Sequence, residues 1–119
     1  MFFADTYALL EIVYGNRKYK DYLSEKIITT RLNLMELYYA LLRDHNEEKA
    51  EYYYNFFVSF CIAIDDSTIK KAMQFKLEHR KLGLSYMDCI GYVLASDKGI
   101  RFLTGDKAFK GLKNVEFVK

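Results

Sequence analysis

Proline and tryptophan do not occur in this sequence, and cysteine and glycine are scarce, with two and six residues. Without proline, and with its glycines scattered, the chain has no linker, low-complexity tract or repeat that would divide it. The cysteines, Cys61 and Cys89, lie in apolar runs and form no Cys/His metal pattern, so we expect buried free thiols. Because about half of the 119 residues are hydrophobic, residues 1–119 are expected to form a single domain.

Long apolar runs are missing as well. No stretch approaches the roughly 18 residues of a membrane span. The N-terminus runs straight into Asp5 without the basic start and apolar region of a secretory signal. We therefore expect a cytoplasmic protein with no membrane association. The two histidines, His45 and His79, are isolated in polar helical surroundings, which argues against histidine-based catalysis or metal binding.

Net charge is also small, at +2 from 18 basic and 16 acidic residues. The total neither requires nor excludes a polyanionic partner. If four acids formed a metal site, the rest of the chain would carry 18 basic and 12 acidic residues, a surplus of +6. Two divalent ions would cancel the four negative charges of the site itself. This distribution is compatible with an RNA partner.

Short apolar runs with strand character alternate with longer helical segments. The runs are residues 1–4, 27–30, 61–64, 100–104 and 115–118. Each gap between the first four runs is long enough for helices, which we predict at residues 5–14, 17–24, 32–43, 47–60, 66–82 and 85–96. This alternation predicts an α/β fold with a parallel sheet.

Two aspartates follow predicted strands. Asp5 precedes a helix that it would cap well, and Asp106 follows the run 100–104 and Gly105, where turns favour aspartate. Both positions also lie at the carboxyl ends of strands, the edge where open α/β sheets bind ligands. Structural and functional interpretations therefore stay open for both. Thr104, at the same edge, could hydrogen-bond a ligand or a carboxylate, or simply continue the strand.

Two further acids, Asp88 and Glu36, lie on predicted helices. Asp88 faces a small, apolar side of its helix, where an unpaired carboxylate is costly to bury. It also stands three residues after Ser85, so a capping box is the alternative interpretation. Glu36 lies away from the leucine face of its helix, where a solvated glutamate is the ordinary interpretation.

Three of these four acids are expected at strand ends or helix starts, on the edge that α/β topology uses for binding. Carboxylates gathered without nearby bases repel one another unless a cation neutralises them. Hard oxygen ligands suit Mg²⁺ or Mn²⁺. We therefore interpret the acids as a candidate metal site for phosphoryl transfer to water.

Four short motifs carry a resemblance to a known family. They are Phe3-Ala4-Asp5-Thr6, Thr30-x-x-Asn33-x-x-Glu36-Leu37, Tyr86-Met87-Asp88-Cys89-Ile90 and Leu103-Thr104-Gly105-Asp106-Lys107-x-Phe109. In this order and at these separations the chain resembles PIN-domain ribonucleases over nearly its whole length, and more narrowly the VapC toxins of VapBC toxin-antitoxin pairs. Thr30 and Asn33 stand where serine and threonine are common in the family.

The resemblance implies a PIN-like three-layer α/β/α fold with a central parallel sheet of about five strands. It implies hydrolysis of RNA phosphodiester bonds, with RNA, an antitoxin protein and a second copy of the chain as partners. The implied site binds one or two Mg²⁺ or Mn²⁺ ions through four carboxylates and is supported by two hydroxyls. These residues are Asp5, Glu36, Asp88 and Asp106, with Thr6 and Thr104 in support.

Other functions remain as alternatives. A housekeeping PIN nuclease in RNA processing is the nearest, followed by a non-catalytic PIN-like or receiver-like binding module. A receiver domain would need adjacent acids after the first strand, where only Asp5 stands; Asp65 fits its third strand, but Lys119 is the last residue. A haloacid-dehalogenase-like phosphatase would need an aspartate where Tyr7 stands, two residues after Asp5.

Aromatic residues are concentrated at residues 52–57, with Tyr38 and Tyr39 on the preceding helix. Six consecutive positions cover more faces than one small core can bury, so we expect part of this surface to form a homodimer interface or an antitoxin groove.

Basic residues occur in two groups along the second half of the chain. The basic residues of the predicted helix 66–82 are interpreted as a solvated helix face. The three basic residues that follow Asp106 are better candidates for phosphate contacts. The first group is Lys70, Lys71, Lys76, Arg80 and Lys81, and the second is Lys107, Lys110 and Lys113.

Overall fold

The structure is a computed structural model that describes residues 1–119. Strands and helices alternate along the chain. In chain order the elements are β1 (Phe2–Ala4), α1 (Thr6–Val13), β2 (Ile27–Ile28), α2 (Arg31–Asp44), α3 (Glu47–Phe57), α4 (Asp66–Glu78), α5 (Tyr86–Asp97), β3 (Arg101–Thr104) and β4 (Val115–Phe117). Short 3₁₀ helices at Arg17–Tyr19, Val58–Phe60, Arg80–Leu82 and Lys107–Phe109 lie between them. The α/β class that the alternation predicted is confirmed.

All four strands are parallel and lie in the order β2-β1-β3-β4. The central strand β1 places Phe3 beside Ile28 on one side and beside Phe102 on the other. Successive residues of a strand point to opposite faces of the sheet. Phe3 therefore packs with α4 and α5, whereas Ala4 packs with α1, α2 and α3. The two buried clusters on either side of the sheet give the three-layer arrangement.

The expected fifth strand, residues 61–64, is reduced to one parallel bridge between Thr29 and Cys61. The Ile62 N–H donates to the Thr29 carbonyl, and the chain then leaves the sheet. Ile62 and Ile64 still pack against the core, which explains the apolar run, because a short run can serve burial without forming a ladder. Cys89 is buried as expected, but Cys61 is only half-buried; both thiols are free.

Side-chain caps decide where the helices begin. The Asp65 carboxylate accepts the Thr68 N–H at 2.8 Å and caps α4, which starts at Asp66, the first residue of the predicted helix. It ends at Glu78, and the predicted remainder is the 3₁₀ helix Arg80–Leu82, closed by Gly83 in the left-handed region with φ +68°. The predicted helix at residues 17–24 is likewise only the 3₁₀ turn Arg17–Tyr19. None of the helices combines the length and apolar character that a bilayer span requires.

Candidate active site

A cleft of about 540 Å³ opens at the carboxyl edge of the sheet. Its walls come from the end of β1, the start of α1, the side of α2, the first turn of α5 and the turn after β3. All four acids singled out in the sequence line it, together with Thr6 and a rim that includes Arg43. The acids are Asp5, Glu36, Asp88 and Asp106. Residues up to 101 positions apart in the chain are thus brought to one site.

Asp5 lies at the bottom of this cleft and is only 5% exposed. One carboxylate oxygen accepts the Ala8 N–H at 2.9 Å, which makes Asp5 the N-cap of α1. The other accepts the Thr104 hydroxyl. Asp5 therefore caps α1 and also lies at the carboxyl end of β1, where the cleft opens.

Burial raises the pKa of Asp5 from 3.8 to about 7. Hydrogen bonds from Thr104 and Ala8 lower this pKa, while the negative charges of Asp88 and Asp106 raise it. Desolvation is the largest cause, because an ionised carboxylate loses its hydration in the interior. A cation in the cleft would offset both the burial and the repulsion.

Thr104 joins Asp5 to Asp106. Its hydroxyl donates to Asp5 and accepts the Asp106 N–H at 3.0 Å. Asp106 in turn accepts the Ala108 N–H at 3.0 Å and so caps the 3₁₀ helix Lys107–Phe109. A single fully buried hydroxyl therefore fixes the relative position of two of the acids.

Asp88 forms the capping box that the spacing to Ser85 allowed. Its Oδ2 accepts the Ser85 N–H at 3.0 Å, and the Ser85 hydroxyl accepts the Asp88 N–H at 3.0 Å. Asp88 is half-buried rather than enclosed by apolar side chains, because the first turn of α5 opens into the cleft. No hydrogen bond engages its Oδ1, which leaves that oxygen able to bind a ligand.

Glu36 reaches the cleft from the second turn of α2. By helical spacing Glu36 shares a stripe of α2 with Asn33 and Ala40, away from the leucine face, and the ordinary interpretation is a stripe that faces solvent. Instead Asn33 and Ala40 are buried, and Ala40 and Glu36 line the cleft. Glu36 itself is exposed and forms no hydrogen bond or ion pair, so its carboxylate is unengaged.

Comparison with known protein families identifies the family to which this chain belongs. The family model of the PIN domain matches residues 2–115, which include all four acids. The chain belongs to the PIN-domain family. A search of curated proteins gives no match.

Solved structures share the fold of this PIN domain. VapC20 of Mycobacterium tuberculosis, a sarcin-ricin-loop-cleaving toxin, superposes with a TM-score of 0.84 at 16% identity, over 98% of each chain. A chain of a toxin-antitoxin complex from Klebsiella pneumoniae gives 0.77 at 20% identity, over 98% of this chain and 96% of that one. VapBC2 from Rickettsia felis, bound to a promoter DNA fragment, gives 0.76 at 16% identity, over 98% and 96%. At these identities the likeness shows the fold.

A buried polar chain in the PIN domain was not foreseen from the sequence. The Thr30 hydroxyl donates to the Asn33 side-chain carbonyl at 2.7 Å, and the Asn33 amide donates to the Thr6 hydroxyl at 3.3 Å. Thr6 also contacts the Met87 sulfur at 3.9 Å. These contacts tie the start of α2 to α1 and α5, one turn before Glu36. The sequence pattern gave no signal for these hydrogen bonds, because helical spacing put Asn33 on the stripe of α2 that lies away from the leucine face.

Metal ligation would rely on oxygen atoms alone. No three acidic, histidine or cysteine side chains lie close enough together to enclose a metal ion. The donor set suits Mg²⁺, which keeps several waters and is usually held by one or two carboxylates together with substrate phosphates. Asp5 and Asp88 or Asp106 are the residues that fit this binding mode, since they face the same cleft.

Proposed function

We propose that this PIN domain is a metal-dependent endoribonuclease that hydrolyses RNA phosphodiester bonds and acts as the toxin of a toxin-antitoxin pair. The proposal is carried by one observation: four carboxylates from four separate elements line a single cleft at the carboxyl edge of the sheet. One of them, Asp5, is buried there, and burial raises its pKa, as is typical of functional sites.

In this proposal, Asp5, Asp88 and Asp106 hold one or two Mg²⁺ or Mn²⁺ ions, and Glu36 orients water or metal. A bound divalent ion would supply Lewis acidity, lowering the pKa of water and stabilising charge on the phosphate. The protein positions the carboxylates. The Thr104 hydroxyl fixes Asp5 and Asp106 relative to each other through its two hydrogen bonds. Thr6 supports the opposite wall through Asn33.

Toxin and RNA assignments are supported by the structural relatives. VapC20 is a toxin that cleaves the sarcin-ricin loop, and the chain from Klebsiella pneumoniae comes from a toxin-antitoxin complex. We extend RNA cleavage, an antitoxin partner and a cytoplasmic site of action to this chain. A housekeeping role in RNA processing is the second candidate. A small antitoxin gene directly upstream would favour the toxin.

An apolar surface on the α2–α3 hairpin supports a protein partner. Its large side chains are 44–63% exposed: Met35, Tyr39, Tyr52 and Phe56. A groove of about 390 Å³ beside them is lined by Tyr38 and Tyr54, with Glu51 at its edge. Exposed aromatic patches of this kind are typical of interfaces. We propose that this hairpin carries the homodimer or antitoxin interface.

The experiment is incubation of total RNA with the protein and Mg²⁺ or Mn²⁺, followed by sequencing of the new ends. Asp88→Asn is the test variant, because an asparagine oxygen can still accept the Ser85 N–H and so preserves the helix cap. Asp97→Asn is the matched control, since it makes the same change at the exposed far end of α5.

We expect discrete cleavage by the wild type and by Asp97→Asn, and a loss of roughly 100-fold or more in Asp88→Asn. Unaltered circular dichroism would show that the variant is folded. Full activity in Asp88→Asn would mean that the site is wrong.

A further inference from the structure

Basic residues are concentrated in two short segments that lie far apart in the sequence. Residues 76–82 and 107–113 contain six lysines and arginines, one histidine and a single acid, Glu78. The rest of the chain then has twelve basic and fifteen acidic residues. The chain as a whole is therefore nearly neutral, but its positive charge is gathered in these segments.

The fold brings the two segments together. A cavity of about 500 Å³ lies between them. The first segment lines it with Glu78, His79, Arg80, Lys81 and Leu82, and the second with Ala108, Gly111 and Leu112. We call the exposed cations that line this cavity, or that neighbour its lining residues in the sequence, the basic rim. They are Arg80, Lys81, Lys107, Lys110 and Lys113.

Aromatic packing holds the two segments at a fixed separation. Tyr92 of α5 stacks on Phe75 of α4 with ring centroids 4.9 Å apart, and on Phe109 at 6.2 Å. The Tyr92 hydroxyl donates to the Lys113 carbonyl. His79 stacks on the other side of this group, on Phe75 at 4.2 Å. This aromatic packing therefore fixes the positions of the two segments that carry the basic rim.

No cation of the basic rim forms an ion pair within the protein, although Glu78 lines the same cavity. The three ion pairs of the structure are Arg43–Asp44, Lys71–Asp97 and Arg101–Glu116, none of which involves the rim. Arg80 donates to the Leu77 carbonyl, and the Lys110 ammonium lies 5.6 Å from the Phe117 ring centroid. Exposed cations that share a concave surface favour a polyanion.

Both segments lie close in sequence to residues of the acid cleft. Lys107 is the neighbour of Asp106, and Lys81 is four residues before Ser85, which lines the cleft. Four residues span at most about 15 Å of chain. Lys76 holds the loop between Lys81 and Ser85 against α4. Its ammonium donates to the Leu84 carbonyl and lies 4.9 Å from the Tyr86 ring centroid. The basic rim therefore adjoins the cleft through short stretches of chain at both segments.

We propose that the basic rim binds the phosphate backbone of the RNA substrate on one side of the scissile bond. This inference rests on the proposed function and adds a binding surface to it. RNA entering an acidic cleft needs cations outside the cleft, because the carboxylates repel its phosphates. The rim contacts phosphates and carries no base recognition, so it contributes affinity rather than sequence preference.

The test measures binding of a fluorescein-labelled 12-nucleotide single-stranded RNA, in Mg²⁺, by proteins that carry Asp88→Asn to prevent cleavage. The rim variant adds Arg80→Gln, Lys81→Gln and Lys110→Gln. The control variant adds Lys26→Gln, Lys70→Gln and Lys98→Gln, which remove the same charge near the amino edge of the sheet. A four-nucleotide RNA serves as a probe that spans little beyond the cleft.

We expect the rim variant to bind the 12-mer at least about tenfold more weakly than the control at low salt. The slope of log affinity against log salt should become shallower by about 2, at roughly 0.7 per lost contact to a single strand. Affinity for the four-nucleotide RNA should change little. In wild-type background the three rim substitutions should raise KM for long RNA and leave kcat unchanged.

Equal 12-mer affinity and equal salt slopes in the rim and control variants would overturn the inference while the nuclease proposal stands. Retained RNA affinity together with lost binding of a polyglutamate peptide would assign the rim to an acidic protein partner and would also overturn it. If the wild type cleaves no RNA and the Asp88→Asn parent does not bind the 12-mer, the proposed function itself fails.

Discussion

Asp5 places a carboxylate in the interior, beneath two further acids. Its oxygens accept the Ala8 N–H and the Thr104 hydroxyl, yet its pKa stands at about 7 because desolvation outweighs these bonds. In the unfolded chain the same group titrates near 3.8. Between these two pH values the folded state holds an extra proton, so the free energy of unfolding falls as the pH rises.

Asp5→Asn should therefore stabilise the metal-free protein at pH 8, because asparagine keeps the shape and removes the charge. About three pKa units set an upper bound of about 4 kcal/mol on the gain. Urea unfolding in EDTA should show a gain that is larger at pH 8 than at pH 5. Added Mg²⁺ should stabilise the wild type but not the variant. An Asp5→Asn protein less stable than wild type at pH 8 would contradict this assignment.

Thr104 acts through Asp5 and Asp106 rather than on the substrate. Thr104→Val removes the hydroxyl that lowers the pKa of Asp5 and that receives the Asp106 N–H. We expect a loss of roughly tenfold or more in kcat/KM, with the acidic limb of the pH profile moved to higher pH. Thr104→Ser should restore both. A uniform loss of rate without a shift in the profile would indicate a packing role only.

The strands and their connecting turns determine where the acids lie. Asp5 and Asp106 could be located from the sequence because each follows an apolar run, and parallel topology puts both ends at one edge. Glu36 could not, since its stripe on α2 is polar and only tertiary packing decides that it meets the cleft. For residues 61–64, composition indicates burial but does not reveal how many ladder bonds form.

Two other outcomes also depend on tertiary contacts. Asp88 was expected against apolar neighbours, but the opening of α5 into the cleft leaves it half-buried. The basic segments 76–82 and 107–113 were interpreted separately, because nothing in the sequence records that Phe75, Tyr92 and Phe109 stack. Helix caps were easier to predict, since they depend on neighbours within three residues.

The turn between β3 and Asp106 requires glycine for space. A Cβ at Gly105 would collide with the Tyr7 ring and with the Val118 backbone carbonyl, which cannot move without displacing β4. We expect Gly105→Ala to lower the free energy of unfolding by about 1–3 kcal/mol and to reduce nuclease activity by shifting Asp106. Gly111→Ala is the control, because nothing lies within 4 Å of its Cβ. Equal thermal stability in both variants would show that the turn adapts.

At the scale of the whole molecule, apolar and charged surfaces are separated. The α2–α3 hairpin exposes Tyr52 and Phe56, while the basic rim lies on the side of α4 and α5. The acid cleft lies at the edge of the sheet between these layers. This separation would allow a protein partner to cover the hairpin without covering the rim.

Light scattering of the purified protein tests the hairpin interface. We expect a dimer for the wild type, and a shift to monomer for the double variant Tyr52→Ser and Phe56→Ser, because the buried aromatic area drives association. Leu77→Ser is the control, since Leu77 is 66% exposed on the opposite layer. A wild type that is strictly monomeric and binds no antitoxin would remove the proposed interface.

The most direct test of the nuclease proposal is the cleavage rate of a labelled single-stranded RNA as Mg²⁺ or Mn²⁺ is titrated into EDTA-treated wild-type protein. We expect no cleavage without metal and a saturable rise in rate with metal. We also expect products without a 2′,3′-cyclic phosphate, because water rather than the ribose hydroxyl attacks. Cleavage that persists in EDTA, or that yields cyclic phosphate ends, would contradict the proposed metal-dependent hydrolysis.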